Sequence, residues 1–291
     1  MNINGLISFF AAHRQRGDEL VLATVIDTEG STYSKSGAQM LIDAEGRFRG
    51  MLSGGCLEGD LAVRARAVIE SGKPQVVTYD LGQDEELWGL GVGCEGVMHV
   101  LLQALDRDYE PFASVVGILQ GDEPGVVALE LDKRVDVRPL PRLLILGAGL
   151  DAEPVVRIAA ELGWRCTVCD HRPAYISAGH FEDADSAHCQ PADDIGAAAD
   201  LSRYQMAVVM SHHLVSDLAY LRQLAASEIP YVGLLGPAAR RDRLLRELGK
   251  DAAKLEGRLH GPAGLDIGGR GPASIALSIV AQMHAVYHGK I

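Results

Sequence analysis

Apolar and polar positions follow one another along this chain with two different rhythms, and the change from one to the other divides it. Near the start, Leu6, Phe9, Phe10 and His13 recur at helical spacing, which predicts an amphipathic helix over Ile3 to Arg16 that Gly17 closes; His13 reads as a structural histidine of that helix. Short apolar runs follow at "LVLATVID", "AQMLID" and "RFRGML", the last two joined by an "AEG" turn as in a hairpin. A helix is expected from Cys56 to Ser71, then strands at "QVVTYDL", "GVMHVLLQ", "ASVVGIL" and "GVVALEL". This first part reads as a mixed α+β domain, mainly sheet with few helices.

From Arg142 onward short apolar strands alternate with helices. "RLLILG", "RCTVCD", "MAVVMS" and "YVGLLG" read as strands. Helices are expected over Asp151 to Leu162, near Asp193 to Leu201, and over Leu214 to Ala226, Pro237 to Leu248 and Pro272 to His288. Such alternation is the signature of a parallel sheet covered on both faces, so the fold class is α/β with a C-terminal Rossmann-like, doubly wound domain. Two prolines in "DVRPLPR" interrupt both rhythms, which sets the domains at 1–138 and 139–291. No internal repeat or low-complexity tract breaks this division.

Composition narrows the class. With 291 residues, 47% hydrophobic and 23% charged, the chain has material for two cores. It lacks an apolar run long enough to span a bilayer, and "MNINGLISFF" lacks the basic start and cleavage site of a signal peptide, so a cytoplasmic protein is expected. A formal charge of −12 without a basic stripe argues against nucleic acid as a partner. The arginines of "AARRDRLLREL" alternate with acids as on a solvated helix.

Five cysteines, an odd number without an export signal, are expected to be reduced thiols. Cys166 and Cys169 have the spacing of a redox or zinc pair, but they lie in a strand pattern, where residues three apart face opposite sides. No metal-ligand set is assigned.

Two strand-to-helix junctions carry the chemistry. In "GAGLDA", Gly147 permits a tight turn, Gly149 lets backbone approach a pyrophosphate, and Ala152 lets the helix pack on the sheet. Asp170 ends the next strand, where an acid meets a ribose hydroxyl, so NAD(P) is a candidate ligand of this half. His171 and Arg172 could reach a phosphate or could be loop charges. His212 follows a central strand at the carboxyl edge, where open parallel sheets bind ligands. In "MLSGGCLEGD", the amides of Gly54, Gly55 and Cys56 are expected to form an anion-binding nest at a helix start with Ser53 as cap. Such a nest favours a thiolate at Cys56, and Glu58 could accept a proton or hydrogen-bond a ligand amine. Cys94 lies in a second glycine-rich loop, "WGLGVGCEGV", and "EGSTYSKSGAQML" supplies a third, so a shared pocket is expected.

Together "EGSTYSKSGAQML", "SGGCLEGD", "GLGVGCEG", "LGAGLDA", "VVMSHH", "YVGLLG" and "GLDIGGRGPASIALSIV" resemble the XdhC/CoxI accessory proteins, which handle molybdenum cofactor for xanthine dehydrogenase and related molybdoenzymes. The resemblance implies a chaperone without turnover of its own. It would bind and protect the cofactor, assist replacement of an oxo ligand by sulfur from a separate donor, and insert it into a xanthine dehydrogenase-type enzyme. Carried onto this sequence, Cys56, Glu58 and Cys94 fall on the cysteine motifs, Gly147 and Gly149 on the Rossmann turn, and His212 after the third strand of that domain. The chain departs at Ser34 and Ser36, where the family often has a basic residue and proline, and at "GGRGPAS" near the end.

The residues alone leave an NAD(P)-dependent oxidoreductase and a nucleotide-sensing module as alternatives, although no acid–base arrangement more specific than His212 supports the first. The apolar helix "ASIALSIVAQMHAV" could serve a homodimer interface or its own sheet.

Overall fold

The computed structural model describes residues 3–82 and 96–291 and divides into two compact units, Met1–Pro139 and Leu140–Ile291. In the first unit, α1 (Ile3–Arg16), β1 (Leu20–Glu29), β2 (Gln39–Asp43), β3 (Phe48–Gly50), α2 (Glu58–Ser71), β4 (Gln75–Asp80) and β5 (Val97–Ala104) follow in order. The strands form one antiparallel sheet in the order β3-β2-β1-β5-β4. Leu61, Ala65 and Val68 of α2 pack on the face made by Val21, Ala23, Val25, Ile42 and Val100. Leu20 to Val25 are buried without alternation, so both faces of β1 are covered. His13 is structural, as its position on α1 suggests: it is buried and its Nε2 lies 3.1 Å from the Asp43 carboxylate, which also accepts from Arg47.

"ASVVGIL" is a helix, α3 (Phe112–Gln120), not the strand its composition predicts. An unbroken apolar run carries no period, and the structure supplies the missing one, with Phe112, Val115 and Leu119 buried at spacings of three and four. A hairpin, β6 (Gly125–Ala128) and β7 (Arg134–Val137), completes the unit.

The second unit contains β8 (Arg142–Leu146), α4 (Ala152–Glu161), β9 (Arg165–Asp170), α5 (Pro173–Ala178), β10 (Ser186–Cys189), β11 (Met206–Val209), α6 (Leu214–Ala225), β12 (Tyr231–Leu234), α7 (Ala238–Leu248), β13 (Leu259–His260) and α8 (Pro272–Tyr287). All its strands are parallel, in the order β10-β9-β8-β11-β12-β13. Counted from β8 this is 3-2-1-4-5-6, the Rossmann order, and its switch point falls between β8 and β11. Alternation along β8 builds two cores: Leu143 and Ile145 meet Val155, Ile279 and Val280, while Leu144 and Leu146 meet Tyr220, Leu221 and Leu244. Cys166 joins the first core and Cys169 the second, so the two thiols face away from each other.

The helix expected near Asp193 to Leu201 is instead two 3₁₀ turns, Ile195–Ala197 and Leu201–Arg203. Its alanines give it little apolar face, and the Asp200 side chain accepts from the Ser202 amide, which starts a new turn.

Candidate functional site

Strands β1, β3 and β4 run in the same direction, because each pairs antiparallel with β2 or β5. The segments that follow them therefore leave one edge of the sheet. These are the three glycine-flanked loops: 30–38 after β1, 51–57 after β3, and the segment that ends at Gly96 before β5. Two contacts bring them together. A Cβ on Gly96 would stand 2.5 Å from the Ser31 carbonyl oxygen and 2.6 Å from that of Glu29, so only glycine fits there. The exposed Tyr33 ring lies over Gly54, 3.3 Å from where a Cβ would be. Cys94 and most of its loop lie outside the described residues.

The cysteine loop is held from within. Gly54 and Gly55 adopt φ of +80° and +114°, which turns the chain back over the start of α2. That path brings the Glu58 side chain under the loop, where the residue is 2% exposed. Its Oε1 accepts from the amides of Leu52 and Ser53, both at 2.8 Å. Its Oε2 accepts from the Ser53 hydroxyl at 2.6 Å and the Gly55 amide at 3.0 Å. Burial alone would raise the pKa of this carboxyl, but the hydrogen bonds from Ser53 and Leu52 outweigh it and hold the group below the ordinary glutamate range. The loop thus does gather donors around an anion, but the anion is the chain's own carboxylate, and of the three amides expected to form the nest only that of Gly55 takes part, with Leu52 and Ser53 in place of Gly54 and Cys56.

Two other expectations are corrected. The helix starts at Glu58 rather than Cys56, with Leu57 as its N-cap, because the two glycines delay entry into helical backbone. Ser53 nevertheless serves the helix entry, its hydroxyl accepting from the Leu57 amide at 2.8 Å. Asp60, in the first turn, accepts from Arg64 at 2.6 Å and from the Tyr79 hydroxyl at 2.5 Å, which ties α2 to β4.

Cys56 itself is half-buried, a free thiol packed against the core that includes Leu52 and Leu57. The amides of Gly54 and Cys56 donate to no group among the described residues. The cysteine loop thus leaves a half-buried thiol and two amides without partners among the described residues, with the exposed Tyr33 ring against it; the exposed Lys35, on the loop after β1, has its Nζ 3.5 Å from the Gly30 carbonyl oxygen and 3.4 Å from Thr32 Oγ1.

In the second unit the glycine turn is formed as its fingerprint predicts. Gly147 has φ of +125°, and a Cβ there would stand 2.5 Å from the Met210 carbonyl carbon. Ala152 is fully buried at the start of α4. Asp170 ends β9 but is 0% exposed. Its Oδ2 accepts from the Ala148 amide at 2.8 Å and from Arg172 Nη2 at 2.7 Å, and its Oδ1 accepts from Arg172 Nε and from the Arg172 amide, each at 2.9 Å. Burial would raise its pKa, but the bonds from Arg172 and Ala148 prevail and lower it. The acid assigned to a ribose hydroxyl thus has both oxygens engaged by its own chain.

His212 stands at the switch point, mostly exposed, with its Nε2 2.7 Å from Asp151 Oδ2. Beside it the buried Asp217 accepts from the Ser211 hydroxyl at 2.5 Å and from Arg240 Nη2 at 2.6 Å. Sequence reasoning passed over Tyr33, Asp151 and the pairing of Arg172 with Asp170. The signal for Asp151 was available, since it is an acid inside the fingerprint, at the helix start where a phosphate would sit. Among the described residues no cluster of three or more side chains could hold a metal ion, and no helix is long and apolar enough to cross a membrane.

Comparison with known proteins finds likeness along most of the chain. A model described as the XdhC and CoxI family matches residues 13–80, and one described as the XdhC Rossmann domain matches residues 143–283. The chain is 32% identical to a probable xanthine dehydrogenase subunit of Bacillus subtilis (strain 168), over 91% of this chain and 92% of that protein. It is 25% identical to the molybdenum cofactor insertion chaperone PaoD of Escherichia coli (strain K12), over 97% of this chain and 87% of that one. A crystal structure of a xanthine dehydrogenase from Bacillus halodurans superposes with a TM-score of 0.84 at 30% identity, covering 98% of this chain and 96% of that one.

Proposed function

Because this chain belongs to the XdhC and CoxI family, we propose that it is a molybdenum cofactor chaperone, which carries the cofactor as cargo and inserts it into a xanthine dehydrogenase-type molybdoenzyme. The observation that carries this reading is the likeness to a molybdenum cofactor insertion chaperone over nearly the whole of both chains. The cargo is a pterin with a phosphate-bearing tail and a sulfur-bound molybdenum centre. Such a molecule calls for a soft donor, anion-binding amides and a surface for a flat heterocycle.

The sheet edge of the first unit supports each of these roles. Cys56 offers a soft sulfur donor toward the metal centre. The amides of Gly54 and Cys56 offer hydrogen bonds to oxyanions of the cargo, and Lys35 adds a cation. Tyr33 offers the face on which a pterin ring stacks. Cys94, on the loop that enters β5, is the second thiol assigned to the cargo. Ser53, Gly55 and Glu58 shape the loop from beneath rather than touching the cargo. Held in this way, the cofactor would be protected, and sulfide-level sulfur from a separate donor would replace its oxo ligand, which leaves with two protons as water, before delivery.

The test is retention. Purified protein is mixed with molybdenum cofactor and passed through a desalting column, and molybdenum and pterin are measured in the protein fraction. The wild type is expected to retain both, Cys56→Ala to lose most of the molybdenum, and Cys189→Ala to behave as wild type. Retention of nothing by the wild type, or equal retention by Cys56→Ala, overturns the proposal.

A further inference from the structure

We propose that the dinucleotide seat of the Rossmann unit is closed by the chain's own side chains: Asp151 and His212 cover the glycine turn, Arg172 covers the ribose acid, and NAD(P) is thereby kept out. In this fold the pyrophosphate lies against the backbone of the second glycine and on the start of the following helix, while the acid at the end of the second strand takes a ribose hydroxyl. The residues present do not fit such a ligand at either point.

At the glycine turn, the open side of Gly149 is filled. A Cβ there would stand 2.7 Å from Asp151 Oδ1 and 3.9 Å from His212 Cδ2, so the space a phosphate needs holds a carboxylate and an imidazole. Asp151 does not serve α4 as a cap, since it has helical backbone angles and its side chain makes no capping hydrogen bond. Its partner is His212, at 2.7 Å. His212 in turn sits in left-handed backbone at φ +58°, a region uncommon for residues that carry a side chain. The two side chains come from opposite flanks of the switch point, one after β8 and one after β11, and join across it. A carboxylate held there beside the two charges of a pyrophosphate weakens binding by roughly tenfold or more, even with water between them.

At the second point, a ribose hydroxyl would have to displace Arg172 from Asp170. The guanidinium is fixed three ways: two hydrogen bonds to Asp170, one to the Ser211 carbonyl at 3.2 Å, and a stacking contact 3.6 Å from the centre of the Tyr175 ring. The closure does not depend on the cargo reading of the first unit, and it removes the cofactor that the oxidoreductase alternative requires.

The experiment is a titration of the full chain with NAD⁺, NADH and NADP⁺ by calorimetry, using the wild type and the double variant Asp151→Ala/His212→Ala. The wild type is expected to give no saturable binding up to millimolar dinucleotide, and the double variant to bind at least about tenfold more tightly. Micromolar binding by the wild type overturns the proposal. So does a folded double variant that binds no better than wild type. Amide exchange of Gly147 to Ala152 in the wild type gives a readout independent of any variant's folding: dinucleotide leaves it unchanged if the seat is closed, and slows it if the seat is open.

Discussion

Replacing Glu58 with alanine tests the cysteine loop most directly, because the consequence can be worked out donor by donor. The carboxylate accepts four hydrogen bonds, and the three amides among the donors have no other partner in the loop. The Gly55 amide lies in the exposed Gly54–Gly55 turn, where water can replace the lost acceptor, and the Ser53 hydroxyl is free to rotate and keeps its bond from the Leu57 amide. The amides of Leu52 and Ser53 belong to buried residues and are left unsatisfied, at about 1–3 kcal/mol each. The expected loss is thus about 2–6 kcal/mol, which in a unit of this size lowers the melting temperature by roughly 10–15 °C near the middle of that range. Differential scanning calorimetry should show the transition of the first unit moving while that of the second stays in place.

The same group carries a pH signature. Its pKa is lowered on folding, so its stabilising contribution is complete above the unfolded value, about 4.3, and disappears as pH falls through the lower folded value. Acid should therefore unfold the wild-type unit more steeply than Glu58→Ala. A variant that melts within about 1 kcal/mol of wild type at neutral pH, with an unchanged rate of Cys56 alkylation, would refute the idea that this carboxylate organises the loop.

Two further outcomes are expected. Arg172→Met leaves the Asp170 carboxylate buried without its cation and should cost the second unit about 3–5 kcal/mol at pH 7, with the deficit shrinking as pH falls and Asp170 protonates; both are measurable by denaturant titration at two pH values. In alkylation of the native chain followed by mass spectrometry, Cys189 and then Cys56 should react, while Cys166 and Cys169, buried and with thiol pKa values pushed up to about 12 by burial, should react only on unfolding.

What could be read in advance follows the strength of local signals. The Rossmann unit was legible because each strand carries its own apolar run, and because Gly147, Gly149 and Ala152 impose steric demands that few other residues meet. The run at "ASVVGIL" failed for the opposite reason: with no polar position to mark a period, only tertiary burial decides between strand and helix. The strand Ser186–Cys189 was missed because half of its residues are polar, and it is defined by pairing with β9 rather than by composition. In the site, the loops 30–38 and 51–57 were legible as glycine-rich polar segments. The inward turn of Glu58 was not, since its contact with Ser53 five residues earlier depends on two positive φ angles that sequence permits but does not dictate. Asp170 shows the same limit, because its neighbour Arg172 decides whether it faces a ligand or the interior.

The parallel sense of β1, β3 and β4 gives the first unit one margin of long connections and one of tight turns. Turns at the far margin, such as 44–47 and 72–74, are tight and hydrogen-bonded to their flanking elements, whereas the longer connections 30–38 and 51–57 leave from the other side. Those connections can be lengthened or trimmed alone. The strands beneath would need no compensating change, which makes the unit a ready scaffold for loop grafting.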